Sequence, residues 1–237
     1  IQEGRKTILT GSERMKQRPI KPLVDALREL GAEINYLENE GFPPLEIQGK
    51  KIDKNFVKIP ANISSQFITS LLLIGASLEN GLEIELQGEI TSRSYIKMTL
   101  KILKDIGVET CFEGNSIKIL SAASSLSNQK LDRHYHSSKI KHYTVESDWS
   151  SASYFYSLVA IGKKKMHLKS FYAHSLQGDS ALKEIYLKFF GVNTISDAGE
   201  NKITLLPDTH FQYPEKFVLD MNDCPDIAQT VCVTCVA

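Results

Sequence analysis

Three short stretches of this 237-residue chain place side chains capable of chemistry at the mouths of expected helices. The first, residues 62–66, reads NISSQ and runs directly into the apolar stretch FITSLLLIGASL. Ser64 and Ser65 stand where N-cap residues belong, beside backbone N–H groups that lack intrahelical partners and carry partial positive charge. Two hydroxyls at such an end make a seat for a phosphate, and simple capping is the competing account. The second is Arg14-Met15-Lys16-Gln17-Arg18-Pro19. Proline favours extended backbone before it, so at period 2 the three cations project to one face while Pro19 opens a helix. Such a face traps an anion, although a solvated basic edge carries the same residues without binding anything. The third, residues 220–226, reads DMNDCPD. Asp226 falls in the first turn of the last apolar helix, where the macrodipole stabilises a carboxylate that can take a proton from a substrate hydroxyl. Capping competes here as well.

Holding these residues in place requires a scaffold, and the chain repeats one. Residues 20–34, 95–109 and 180–194 share an amphipathic helix, a glycine just past its end and an apolar strand. Their glycines, Gly31, Gly107 and Gly191, suit the left-handed position that stops a helix, and lie 76 and 84 residues apart. Interleaved with them are three nearly continuous apolar helices at 64–78, 150–161 and 225–236, whose caps lie 86 and 75 residues apart. Strands are expected at 82–86, 116–120, 143–146, 165–169, 202–206 and 216–219, from period-2 or all-apolar character. The class is α/β (α+β), built from repeated βαβαββ units. Helices that are apolar almost all round should be buried, and helices with a charged face should lie outside. The polar, Ser-rich stretch 121–142 reads as a long surface connection. A domain boundary is expected just after it near residue 144, giving domains 1–144 and 145–237.

Charge and composition narrow the function. With 28 basic against 28 acidic residues there is no excess to draw the chain onto nucleic acid or an anionic membrane, so any anion site must be local. The apolar run 67–78 is interrupted and too short to span a bilayer, and nothing at the N-terminus reads as a signal peptide. Four cysteines, three of them in the last fourteen residues, make a disulfide framework a poor reading and a reducing, cytoplasmic setting the better one. Cys232-x-x-Cys235 lacks a second ligand pair, so both thiols are expected to be buried as small apolar side chains. His134-x-His136 reads as solvated loop. No metal site is expected.

Taken in order, LTGSERMKQRPIKPLVDALRELGAEI, SSQF, GEITSRSYIKMTLKILKDIGVE, ESDWSSASYF, LQGDSALKEI and LDMNDCPDIAQT resemble the 3-phosphoshikimate 1-carboxyvinyltransferase (EPSP synthase) family over essentially the whole chain. The resemblance implies two similar domains of βαβαββ units, an inverted α/β barrel of which this chain carries part, with helix N-termini aimed at a cleft. It implies transfer of the enolpyruvyl group of phosphoenolpyruvate to the 5-hydroxyl of shikimate 3-phosphate, without metal or organic cofactor, by a family that is usually monomeric. Carried over, Ser64, Ser65 and Ser92 hold the shikimate phosphate, Gln66 touches both substrates, and Tyr95 lies by the shikimate ring. Arg18 contacts phosphoenolpyruvate, Arg14 and Asp148 support, and Asp226 binds the 5-hydroxyl and accepts its proton. Bringing two phosphate anions together needs cations and aligned dipoles, and a closed cleft then orients them.

Some features depart from the pattern. The chain matches only the middle of family members, lacking the regions that carry an N-terminal Lys with its glycine-rich loop and the late Glu, Arg and Lys, so by itself it is expected to show no turnover. Trp149 replaces a small residue and Ser147 a glycine beside the retained Asp148. Two other functions remain as alternatives. One is the sister enolpyruvyl transfer to UDP-N-acetylglucosamine, and the other is a non-catalytic binding or structural fragment.

Overall fold

The computed structural model of the chain describes residues 3–121 and 143–237. The expected connection after Ser121, with His134 and His136, lies outside the described residues. The order is β1 (Lys6–Leu9), α1 (Glu13–Lys16), α2 (Lys21–Glu29), β2 (Glu33–Tyr36), β3 (Leu45–Gln48), β4 (Phe56–Pro60), α3 (Ser65–Gly75), β5 (Leu82–Gln87), α4 (Arg93–Asp105), β6 (Thr110–Glu113) and β7 (Ser116–Ile119). There follow α5 (Trp149–Gly162), β8 (Met166–Lys169), a 3-10 turn (Gly178–Ala181), α6 (Leu182–Phe190), β9 (Val192–Asp197), β10 (Lys202–Pro207), a second 3-10 turn (Pro225–Ile227) and α7 (Ala228–Val236). Two compact units result. One is Ile1–Thr91 with Thr99–Lys141, and the other is Ser92–Met98 with His142–Ala237.

The first unit holds two sheets, ordered β1-β3-β2 and β4-β5-β7-β6. Elements β4-α3-β5-α4-β6-β7 run in the expected βαβαββ order, with β4 parallel to β5 and the remaining pairs antiparallel. Alternation decides the faces: β4 buries Val57 and Ile59 and turns Phe56, Lys58 and Pro60 outward. Helix α2 packs Val24 with Ile34 of β2 and Leu45 of β3. Its Arg28 guanidinium donates to the Ile34 carbonyl at 2.9 and 2.6 Å and lies 5.0 Å from the centre of the Tyr36 ring. Each predicted helix-stopping glycine adopts positive φ, at 107° for Gly31, 95° for Gly107 and 64° for Gly191.

The second unit repeats the pattern imperfectly. Elements α5, β8, α6, β9 and β10 surround one aromatic-rich core, with β10 between β8 and β9. The strand predicted at 143–146 does not form. Its place is held by side-chain bonds: Glu146 accepts from Trp149 Nε1 at 2.8 Å, Tyr172 N–H at 2.7 Å and Ser175 Oγ at 2.6 Å. The strand predicted at 216–219 is also absent. Its period 2 is nonetheless used, because Phe217 and Leu219 pack on the core while Val218 is exposed, so burial without a ladder satisfies the pattern.

Helix burial differs from expectation as well. Helix α5 buries Ser153 and Ser157 and exposes Tyr154, Leu158 and Ile161. The small hydroxyl-bearing face admits α7 closely: Ser153 donates to Thr230 at 2.8 Å, Thr234 to Ser157 at 2.9 Å, and Tyr186 pairs with Thr234 at 2.8 Å. Hydrogen-bonded hydroxyls fill that seam in place of apolar groups. On α7 the same geometry buries Thr230, Val231 and Thr234, so Cys232 and Cys235 are exposed, not buried as predicted.

Candidate functional site

Asp226 sits in the 3-10 turn Pro225–Ile227 that opens α7, in the first-turn position read from the sequence. Tyr95, on the first turns of α4, donates its hydroxyl to Asp226 Oδ2 at 2.7 Å. The same stretch of α4 is stitched to the segment before Asp226 twice more. Ser94 Oγ donates to the Asp223 carbonyl at 2.8 Å, and the Ser92 N–H to the Asn222 carbonyl at 3.2 Å. Ser92 takes φ of 52°, a left-handed conformation uncommon for serine. Residues 131 positions apart thus meet because two helix starts share one seam.

Electrostatics around this pair are acidic. Burial, the bond to Asp226 and the carboxylates of Asp179, Asp226 and Asp148 push the Tyr95 phenol well above its ordinary range. Tyr95 is therefore a donor at any physiological pH, and it orients one oxygen of Asp226. Among the described residues, Oδ2 of Asp226 is engaged by Tyr95 and Oδ1 has no hydrogen-bond partner.

Asp148 caps α5, two residues earlier than the Ser150 position expected from the repeat. Its carboxylate accepts from the N–H groups of Ser150 at 3.0 Å and Ser151 at 3.1 Å, and from Ser151 Oγ at 2.6 Å. Burial pushes its proton affinity up, but the bonds from Ser151 and Ser150 prevail and hold the carboxyl below the usual range. Trp149 beside it is fully buried, edge-on to Phe171 at 5.0 Å between ring centres. Its N–H is accepted by Gln177 Oε1 at 2.8 Å, and Gln177 Nε2 donates to the Ser147 carbonyl at 2.9 Å. The departures at 147 and 149 are thus built into the cap's support.

In the first unit, Ser64, Ser65 and Gln66 lie at the start of α3 as read from the sequence. Ser64 is the N-cap, its Oγ accepting from the Gln66 N–H at a long 3.4 Å. Ser65 has no hydrogen-bond partner for its hydroxyl among the described residues. The basic stretch differs from expectation. Residues 13–16 form helix α1, so Arg14, Met15 and Lys16 are not extended and do not alternate with Arg18 across one face. Glu13 at the start of the turn and basic side chains at its end favour that helix over the extended form. Lys16 is drawn to Glu13 at 3.2 Å and Glu38 at 3.6 Å, and Pro22, not Pro19, occupies the first turn of α2. Arg14 and Arg18 are exposed, and neither has an ion-pair partner among the described residues.

Sequence reasoning missed Asp179, Glu146 and Gln177 as parts of this assembly. Gly178 and Asp179 lie just ahead of an amphipathic helix, a signal that such residues cap or turn. Little that is local announces Glu146 or Gln177, which bind Tyr172 and Trp149 across 26 and 28 residues. A cavity of about 680 Å³ lined by Phe189, Tyr213 and Phe217 shares no residue with Tyr95, Asp148, Asp179 or Asp226.

A family model described as EPSP synthase (3-phosphoshikimate 1-carboxyvinyltransferase) matches residues 1–237. Proteins named 3-phosphoshikimate 1-carboxyvinyltransferase from Bacteroides fragilis and Haemophilus influenzae are 42% and 40% identical over 228 residues, each across 96% of this chain but 51% and 48% of the relative. A solved EPSP synthase from Acinetobacter baumannii matches with a TM-score of 0.65 at 20% identity, over 97% of this chain and 49% of that one. The enolpyruvyl transferase NikO from Streptomyces tendae matches with a TM-score of 0.54 at 15% identity, over 86% and 44%. The chain spans about half the length of the curated relatives it matches.

Proposed function

The chain belongs to the EPSP synthase family, and from that premise we propose that it carries part of the machinery transferring the enolpyruvyl group of phosphoenolpyruvate to the 5-hydroxyl of shikimate 3-phosphate. Its fold is about half of the inverted α/β barrel of EPSP synthase. Residues 1–144 would be part of the first enolpyruvyl-transferase domain and 145–237 part of the second. The observation that carries the reading is Asp226 in the opening turn of α7, with one carboxylate oxygen engaged by Tyr95 and the other free among the described residues.

In this reading Asp226 Oδ1 accepts the proton of the 5-hydroxyl as its oxygen attacks C2 of phosphoenolpyruvate, and a separate acid protonates C3. The tetrahedral adduct then gives up a proton from its C3 methyl to a base as the C2–O bond to phosphate breaks, which re-forms the C2=C3 double bond in the enol ether product. Tyr95, which stays protonated, keeps Asp226 aimed. Ser64, Ser65 and Ser92 take the shikimate phosphate, with the α3 dipole behind the first two. Gln66 spans both substrates, Arg18 meets phosphoenolpyruvate, and Arg14 and Asp148 support. In this reading the setting is cytoplasmic, and the family to which the chain belongs is usually monomeric.

Titration calorimetry of this chain separates the readings. Heat with shikimate 3-phosphate and none with UDP-N-acetylglucosamine is the expected result. Heat with the nucleotide sugar alone assigns the sister transfer, and silence with both assigns a fragment without a binding function. No turnover is expected from this chain by itself, and product formed by a preparation free of other enolpyruvyl transferases would overturn that.

A further inference from the structure

Asp179 takes no part in the proposed reaction, yet it is the most deeply enclosed carboxyl beside Asp226 among those described above. It lies in the turn Gly178–Ala181 with 3% of its surface exposed, and its Oδ1 has no hydrogen-bond partner among the described residues. Oδ2 meets Ser150 Oγ in the first turn of α5. Its neighbour Gly178 is tightly packed: a Cβ there would lie 2.5 Å from the Asp223 carbonyl oxygen and 2.6 Å from Ser94 Cβ. Gly178 and Asp179 therefore touch three elements at once. These are the start of α4 that carries Tyr95, the segment leading to Asp226, and the start of α5 capped by Asp148.

We propose that Asp179 is a positioning residue for the pair formed by Tyr95 and Asp226, acting through Ser150 and the Gly178 backbone rather than on substrate. The role in catalysis rests on the reading of Asp226 as the base, whereas the structural coupling does not. The groups facing Asp179 are Asp148 and Ser150 at the start of α5, Tyr95 from α4, and Asp226 and Cys224 from the turn ahead of α7. An anion buried against carboxylates would repel them. Burial first, then Asp226 and Asp148, raise the proton affinity of Asp179, and only the Ser150 hydroxyl lowers it. Oδ2 of Asp179 accepts from Ser150 Oγ, and its burial beside Asp226 and Asp148 makes Asp179 harder to ionise than an ordinary aspartate.

The test uses this chain without substrate. Tyr95 is labelled at its ring carbon and its ionisation followed by NMR at about pH 11, above the ordinary phenol value. In the native chain and in Asp179→Asn, whose amide oxygen can also accept from Ser150 Oγ, Tyr95 stays un-ionised. In Asp179→Ala and in the milder Ser150→Ala it becomes more than half ionised. A folded Asp179→Ala or Ser150→Ala with Tyr95 un-ionised overturns the proposal. If Asp179→Ala does not fold, Ser150→Ala decides alone. A second readout is the melting temperature of Asp179→Asn minus that of the native chain. A carboxyl with raised folded proton affinity loses stability as pH climbs from its unfolded value through its folded one, so the difference should grow over that window. A flat difference shows an ordinary anion and also overturns the proposal. Absence of shikimate 3-phosphate binding together with the expected Tyr95 behaviour brings down the functional reading alone.

Discussion

Helices α3 and α5 begin with the same sequence device, paired serines ahead of an apolar run, and acquire opposite electrostatic starts. At α5 the dipole meets a built-in anion: Asp148 takes two backbone N–H groups and a serine hydroxyl. At α3 the cap is a neutral hydroxyl reaching a single N–H at 3.4 Å. A helix start that already holds its own carboxylate has no use for another anion, whereas one capped by a hydroxyl keeps its positive end for a ligand. Within one repeated scaffold, paired serines alone do not decide whether a helix start already holds a carboxylate.

The largest effect is expected from Asp226→Ala in a protein of the relatives' full length, where kcat should fall by about two to four orders of magnitude. Near-normal turnover in steady-state assays would reduce Asp226 to a cap. Next, Trp149→Ala should destabilise the chain by about 3–5 kcal/mol in urea denaturation, because a fully buried ring beneath the α5 cap is removed. A loss below about 1 kcal/mol would mean that the cap is supported elsewhere. Ser64→Ala should weaken shikimate 3-phosphate binding by about 1–3 kcal/mol, read by calorimetry, and unchanged affinity would remove the seat from α3.

The smallest effect concerns the closed helix start. Asp148→Ala should lower stability by about 0.5–2 kcal/mol at neutral pH. Because the folded state depresses the proton affinity of Asp148, that contribution is present above the ordinary aspartate value and disappears as pH falls through the depressed one. Denaturation curves at neutral and strongly acidic pH should therefore diverge and then converge. A cost that persists in acid would show that packing, not charge, closes α5.

Much of the scaffold was legible because helix-stopping glycines and apolar periodicity are local signals. Gly31, Gly107 and Gly191 each adopt the expected positive φ, and residues 82–86, 116–120, 165–169 and 202–206 all lie in or overlap strands. Where the structure differs from the expectation, side-chain partners decided, nonlocal ones at 143–146 and at α5 and local ones at 14–16. Residues 143–146 lose their strand to the bonds gathered by Glu146, residues 14–16 coil because charges complement a short turn, and α5 turns its serines inward to meet threonines of α7. Of the site, the position of Asp226 in a first turn and of Ser64 at a cap was readable. Its bond to Tyr95 was not derivable from spacing, and neither was the buried Asp179 behind it.

By itself the sequence determined the kind of elements, their repetition and the residues standing at helix mouths, since backbone conformation and burial preference act over a few neighbouring positions. Only the tertiary structure decided which of those mouths carry their own anion and which carboxyl is shut away from water. Proton affinity and free hydrogen-bonding capacity depend on what packs within a few ångströms, and those neighbours come from residues as far as 131 positions along the chain.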